Sequence, residues 1–285
     1  MKCAIEVKDL KKTYPSFTLS IDDLKIPSGE VIGFIGENGA GKTTFIKLLL
    51  NAIHKDSGEI KIMGKDPEKN ELQIKEDIGV VLDNAFFPET LTPKDIDMIM
   101  KDIYKNWDKE LFYQYLQEFG IKDNQNLKTM SKGMRKKVEI ATALSHHPKL
   151  LILDEATSGL DPIVRNEVLD LFLSFIEDEE HTILLSTHIT SDLEHIADHI
   201  IFINKGEIVM EKQRDEIIDR YGILKCDVDQ FDKIDKEDIV SYKKNKYDYE
   251  ILVDDKDKCK KKYKDYIVDK ITLEDLMLLI IKGGK

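Results

Sequence analysis

Apolar and polar positions along this chain change period several times, and each change marks an element. Near the start, apolar residues alternate with polar ones at Ile5 and Val7, then at Phe17, Leu19 and Ile21. This period of two predicts half-buried strands separated by a turn around Tyr14–Pro15. EVIGFIG (30–36) is a nearly continuous apolar run, the pattern of a strand buried on both faces. A helix carrying Phe45, Ile46, Leu48, Leu49 and Leu50 follows it. DSGEIKIMG (56–64) reads as a turn and a strand, and DIGVVLD (77–83) as another strand.

Helical spacing then takes over. Thr92 with Asp95 three residues on, and Pro93 between them, forms a start like a capping box. Ile96, Ile99, Met100 and Ile103 continue at helical spacing, and more helix follows across 109–120. Strands return at LLIL (150–153), TILLS (182–186) and HIIFI (199–203), with helical segments between the first two and before the third. Such alternation predicts an α/β domain with a largely parallel sheet over 1–212. From 213 to 285 Lys and Asp become frequent. Strand-like YDYEILV (247–253) and a short last helix, starting at Thr272–Asp275 and ending at Gly283, predict a small α/β appendage.

The apolar run at 30–36 feeds a glycine-rich turn, and that turn carries chemistry. Gly36-x-x-x-x-Gly41-Lys42-Thr43 is the Walker A pattern, in its required place after a strand and opening a helix. Glycines let the backbone curl so that N–H groups aim at a β-phosphate, and the helix adds its positive end. The expected nucleotide-binding loop is therefore Gly36, Glu37, Asn38, Gly39, Ala40, Gly41, Lys42, Thr43 and Thr44. Lys42 is placed to bridge β- and γ-oxygens, and the Thr43 hydroxyl to ligate Mg²⁺. LLILDE then offers Asp154 at a strand end as a second Mg²⁺ anchor, and Glu155 as a general base for the attacking water. ATP and Mg²⁺ are the expected ligands.

Composition narrows the class. The chain has 285 residues, 41% hydrophobic and 34% charged, with a formal net charge of −12. The acidic balance argues against a nucleic-acid partner, because phosphate backbones call for a positive footprint. No apolar run approaches the roughly 20 residues of a membrane span, and the first residues alternate like a strand, so a cytoplasmic location is expected. Three scattered cysteines without a CxxC spacing predict reduced thiols.

Between and beyond the two Walker motifs the sequence resembles a family, the ATP-binding subunits of ATP-binding-cassette (ABC) transporters. MSKGMRKKVEIATAL (130–144) is similar to that family's LSGGQ signature segment, SGLD (158–161) to its D-loop, and LSTHI (185–189) presents His188 where it has a switch histidine. Tyr14 stands where an aromatic usually stacks on adenine. The resemblance covers 1–212 and implies a P-loop NTPase fold of the ABC type: a mostly parallel core sheet, an N-terminal antiparallel β-subdomain and a helical subdomain over about 84–148. It also implies that two subunits pair head to tail around two ATP molecules. Ser131 and Gly133 of one subunit would then face the γ-phosphate held by the other, with Asp161 coupling the two sites. His188 would hold the γ-phosphate. A separate integral membrane permease would receive the motion, keeping the subunit peripheral on the inner face of the membrane. The SKGM form of the signature and the terminal LLIIKGGK resemble the motor subunits of ABC-2-type bacterial exporters. Two other readings compete with it: a soluble ABC switch acting on ribosomes or nucleic acid, and a cassette that clamps ATP without turnover.

The chain departs from the family pattern at two places. Asp83 stands where the Q-loop glutamine is expected; it is either a functional substitute, a carboxylate that keeps a Mg²⁺ ligand while losing an amide donor, or a plain loop residue. Lys132 and Met134 replace a glycine and the glutamine of the signature. Lys132 either strengthens capture of a phosphate or is a solvated lysine on a basic face. His195 and His199, four apart, have metal-ligand spacing on one expected helix opened by Ser191-x-x-Glu194, but without a third ligand they read as surface or packing residues. Trp107 is expected to pack, and the lysines of 256–264 to form a solvated face.

Overall fold

The computed structural model describes residues 3–83 and 87–284. The expected start of the helical subdomain, at 84, thus lies outside the described residues. β1 (Cys3–Tyr14) and β2 (Phe17–Pro27) form the expected hairpin, with Tyr14 opposite Phe17 at its closed end. β3 (Val31–Ile35) is buried throughout and leads into α1 (Lys42–Leu49). β4 (Ser57–Ile62), α2 (Glu71–Glu76) and β5 (Ile78–Val81) follow.

The helical segment holds α3 (Pro93–Ile103), α4 (Lys109–Glu118) and α5 (Lys132–Leu144). Thr92 and Asp95 make the full capping box, Thr92 receiving the Asp95 N–H while the Asp95 carboxylate receives that of Thr92. This satisfies two of the N–H groups that a helix start leaves unpaired. Ile96, Phe112, Leu116, Leu127, Met130 and Val138 give the segment its own small core. Trp107 packs as expected, tilted against Phe112, with its indole N–H donating to Asp97 at 2.9 Å.

β6 (Leu150–Asp154), α6 (Pro162–Ile176), β7 (Thr182–Thr187), α7 (Thr190–Ile196), β8 (His199–Asn204) and β9 (Glu207–Gln213) complete the main sheet. Its order is β5-β6-β7-β3-β8-β9, parallel except for the β8–β9 pair. A parallel sheet must bury both faces. One face packs on α1 and on the antiparallel sheet β2-β1-β4. The other packs on α5, α6 and α7.

The tail is α8 (Arg214–Arg220), β10 (Gly222–Asp227), β11 (Ser241–Lys244), β12 (Asp248–Val253), α9 (Lys256–Lys262), β13 (Ile267–Lys270) and α10 (Leu273–Lys282). Its sheet, β11-β12-β10-β13, is antiparallel. Of its strands only β12 is expected from the sequence; β11 and β13 are short edge strands rich in charge, and β10 lies between β12 and β13. Leu273, Leu276 and Leu279 of α10 join the same apolar cluster as Leu193 and Ile196 of α7, so the tail packs directly behind the main sheet.

Three local expectations are corrected. α7 ends at Ile196 and His199 opens β8, so His195 and His199 do not share a helix. His199 instead lies 3.5 Å from Glu211 and 3.8 Å from Glu30. Ser191 does not cap α7, whose N-cap is Ile189, and Glu194 accepts the Leu273 N–H at 2.8 Å. The lysines of 256–264 are not simply solvated. Lys258 and Lys262 donate to the buried Asp238, and Lys256 to the Ile218 carbonyl at 2.7 Å. With the Tyr263 hydroxyl donating as well, they hold the Asp238 carboxyl far below the usual carboxylate range against the opposing effect of burial.

Candidate nucleotide site

Parallel pairing puts the carboxyl ends of β3, β6, β7 and β5 on one edge, where ligands of open α/β sheets bind. From that edge the loops deliver Lys42 and Thr43, Asp154 and Glu155, His188, and Asp83. Glu37, Asn38, Gly39, Gly41, Lys42, Thr43, Thr44, Asp83, Asp154 and Glu155 line one cavity of about 580 Å³, together with Ser16 and Phe17. Gly39 (φ 81°) and Gly41 (φ 116°) both lie in the left-handed region, as the curl of the loop requires. Gly36 is needed for a different reason: a β-carbon there would meet the Ile203 carbonyl oxygen at 2.4 Å. Ala40 is buried and fixes the loop, its N–H donating to the Glu37 carbonyl and its own carbonyl accepting from Gly206.

The Lys42 ammonium is buried and donates to the Gly36 carbonyl at 2.6 Å and the Glu37 carbonyl at 3.3 Å. Burial lowers its pKa, opposed by the charges of Glu155 and Asp154. Two carbonyls are modest compensation for a buried cation, so the ammonium is poised to exchange them for anionic oxygens. The Thr43 hydroxyl donates to Asp154 Oδ2 at 2.9 Å, while Ser186 donates to Asp154 Oδ1 at 2.7 Å. A hydroxyl and a carboxylate oxygen this close form a hard-oxygen pair that suits Mg²⁺. Ser186 was not foreseen, because only the register that sets it opposite Asp154 reveals it.

Glu155 has φ 52°, a rare conformation for a residue other than glycine. Its Oε2 lies 2.7 Å from Nδ1 of the half-exposed His188, within hydrogen-bond distance. Burial raises the Glu155 pKa, opposed by His188 and Lys42. A base held in a partly desolvated site, with an imidazole on it, is the arrangement a general base needs.

Other expected residues lie elsewhere. Tyr14 stands 39% exposed at the hairpin end, outside the cavity lining, where Ser16 and Phe17 reach instead. Ser131 caps α5 by accepting the Met134 N–H at 3.2 Å, and Asp161 caps α6 by accepting from Ile163 and Val164. Neither these nor Gly133 line the cavity. The starts of α5 and α6 lie close together: a β-carbon on Gly133 would meet Val164 of α6 at 3.4 Å, and one on Gly159 would meet the Lys132 Nζ at 2.7 Å. Lys132 thus folds over the D-loop of its own chain.

This fold and loop arrangement defines a P-loop nucleoside triphosphatase. Comparison with known proteins narrows it. The family described as ABC transporter matches residues 19–158. The bacitracin transport ATP-binding protein BcrA of Bacillus licheniformis is 38% identical over 216 residues, covering 74% of this chain and 70% of that protein. The lantibiotic transport ATP-binding protein SrtF of Streptococcus pyogenes is 36% identical over 214 residues, covering 74% and 91%. The daunorubicin/doxorubicin resistance ATP-binding protein DrrA of Streptomyces peucetius is 33% identical over 227 residues, covering 77% and 68%. A solved ATP-binding subunit of an ABC transporter superposes with a TM-score of 0.68 at 27% identity, covering 75% of this chain and 91% of that one. The chain belongs to the ABC transporter ATP-binding proteins, and it is an ATPase subunit of a transporter.

Proposed function

We propose that two copies of this ATPase close head to tail around two Mg·ATP and drive a separate membrane permease that exports an antimicrobial peptide or drug. The observation that carries the catalytic part is the convergence of Lys42, Thr43, Asp154, Glu155 and His188 on one sheet edge, with a general base already paired to an imidazole. Thr43 and Asp154, with Asp83 in the lining of the same cavity, would hold Mg²⁺. When bound, the ion supplies positive charge that screens the triphosphate. Lys42 neutralises the γ-phosphate, Glu155 takes the proton of the attacking water, and His188 orients Glu155. Ser131 and Gly133, outside the cavity of their own chain, are available to the partner's nucleotide, and Asp161 lies beside them.

A second cavity, of about 390 Å³, between the main sheet and the helical segment supports a permease contact there. Leu49, Ile74, Val80, Leu82, Met100 and Ala143 are among its walls, the apolar lining that a groove for an amphipathic helix calls for. Among the described residues no helix is long and apolar enough to cross a membrane. Export is inferred from BcrA, SrtF and DrrA, whose names carry bacitracin transport, lantibiotic transport and daunorubicin/doxorubicin resistance. The tail over 213–285 is read as an accessory domain resting on α7.

The test is Glu155→Gln protein saturated with Mg·ATP. It should run as a dimer in size-exclusion chromatography and return to monomer when nucleotide is removed. A protein that stays monomeric at saturation, or that still hydrolyses ATP at the wild-type rate, refutes the reading.

A further inference from the structure

The contact between Glu155 and His188 joins two loops, and a buried carboxylate outside the cavity ties the same two loops together. Asp192 of α7 is 1% exposed and lies four residues beyond His188. Its Oδ2 accepts from the Thr157 hydroxyl at 2.6 Å, and Thr157, fully buried, lies two residues beyond Glu155. Its Oδ1 accepts from the Arg165 guanidinium of α6, which also donates to Ser191 at 2.7 Å. A buried carboxylate tolerates its surroundings only when a charge and hydrogen bonds satisfy it, and here both are present.

What this clamp restrains is visible in the backbone. A non-glycine residue at φ 52° keeps that conformation only where its surroundings over-determine it. On one side the Glu155 N–H donates to the Ser186 carbonyl at 2.8 Å. On the other, the Thr157–Asp192 bond anchors the chain just past Glu155 to the helix that follows His188. Neither Thr157 nor Asp192 lines the nucleotide cavity. We infer that Asp192, through Thr157 and Arg165, is a positioning residue for hydrolysis: it holds the loop of Glu155 in register with the loop of His188, and it takes no part in nucleotide binding.

The inference rests on the roles proposed for Glu155 and His188, and the experiment separates the two. Single-turnover hydrolysis of Mg·ATP is measured with the purified full chain, varying protein concentration to obtain both the rate constant and the half-saturation point. Thr157→Val removes only the hydroxyl and should slow hydrolysis by about ten- to a hundredfold while half-saturation stays within about twofold. Thr157→Ser, which keeps the hydroxyl, should return the rate to near wild type. Asp192→Asn should slow hydrolysis as Thr157→Val does, and the double variant should be no slower than the slower single one. Glu155→Gln is the control for the underlying reading, which fails if that variant hydrolyses normally. If Glu155→Gln is inactive but Thr157→Val and Asp192→Asn hydrolyse at the wild-type rate, the positioning role alone is overturned. Loss of rate and affinity together, in Thr157→Ser as in Thr157→Val, also overturns it, because the site is then purely structural.

Discussion

Replacing Lys136 by Met should destabilise the protein strongly, and the reason lies in the wall of the groove. Lys136 and Glu139, one turn apart on α5, are 4% and 6% exposed and paired at 2.8 Å. The same ammonium donates to the Leu82 carbonyl at 2.7 Å, next to Asp83. Removing it leaves the buried Glu139 carboxylate and the partly buried Leu82 carbonyl without their donor. Breaking a buried pair from one side costs about 3–5 kcal/mol. At about 2 °C per kcal/mol for a domain of this size, the melting temperature should fall by roughly 6–10 °C. Burial already raises the Glu139 pKa in spite of Lys136. A raised carboxyl pKa in the folded state means the native protein binds more protons than the unfolded chain just above the ordinary carboxylate range. Stability then declines as pH rises through that window. Without Lys136 the window widens upward, so the deficit of Lys136→Met should be smaller at pH 5.5 than at pH 8. Replacing both residues, Lys136→Met with Glu139→Leu, should recover most of the loss, since an apolar pair of similar volume is often neutral or better. The assay is thermal and urea unfolding of wild type, Lys136→Met and the double variant at both pH values. A Lys136→Met deficit below about 1 kcal/mol, the value of an exposed pair, would refute the reasoning.

Three further outcomes follow from the same geometry. Lys42→Met should weaken ATP binding by at least about a hundredfold, yet leave the nucleotide-free protein as stable as wild type or more so, because a buried cation held by two carbonyls is lost; fluorescent-nucleotide titration and melting curves check both halves. Asp83→Ala should lower steady-state ATP hydrolysis with Asp83→Gln restoring much of it, and activity near wild type in the alanine variant would remove Asp83 from the metal site. Glu194→Ala takes away the acceptor for the first N–H of α10 and should cost about 0.5–2 kcal/mol in unfolding measurements, the range for a lost helix cap.

The sequence by itself determined the local elements whose pattern repeats within a few residues. The Thr92–Asp95 box, the hairpin around Tyr14–Pro15 and the buried run of β3 form where period, capping and turn chemistry place them. It also determined the nucleotide loop, since the glycines at 39 and 41 and the lysine and threonine after them act through backbone shape and short reach. Helix ends set by packing were not legible. Ser191-x-x-Glu194 has the form of a cap, but its side chains are drawn to Arg165 and Leu273 instead. The lysines of 256–264 look solvated until Asp238 arrives from a turn some twenty residues earlier in the chain. Tertiary structure alone decided that Ser186 would stand against Asp154, that Phe17 rather than Tyr14 would reach the cavity, and that Asp192 would bind the loops of Glu155 and His188 together. Each depends on strand register or on a helix returning to the sheet, and long-range pairing of that kind leaves no mark in the spacing of neighbouring residues.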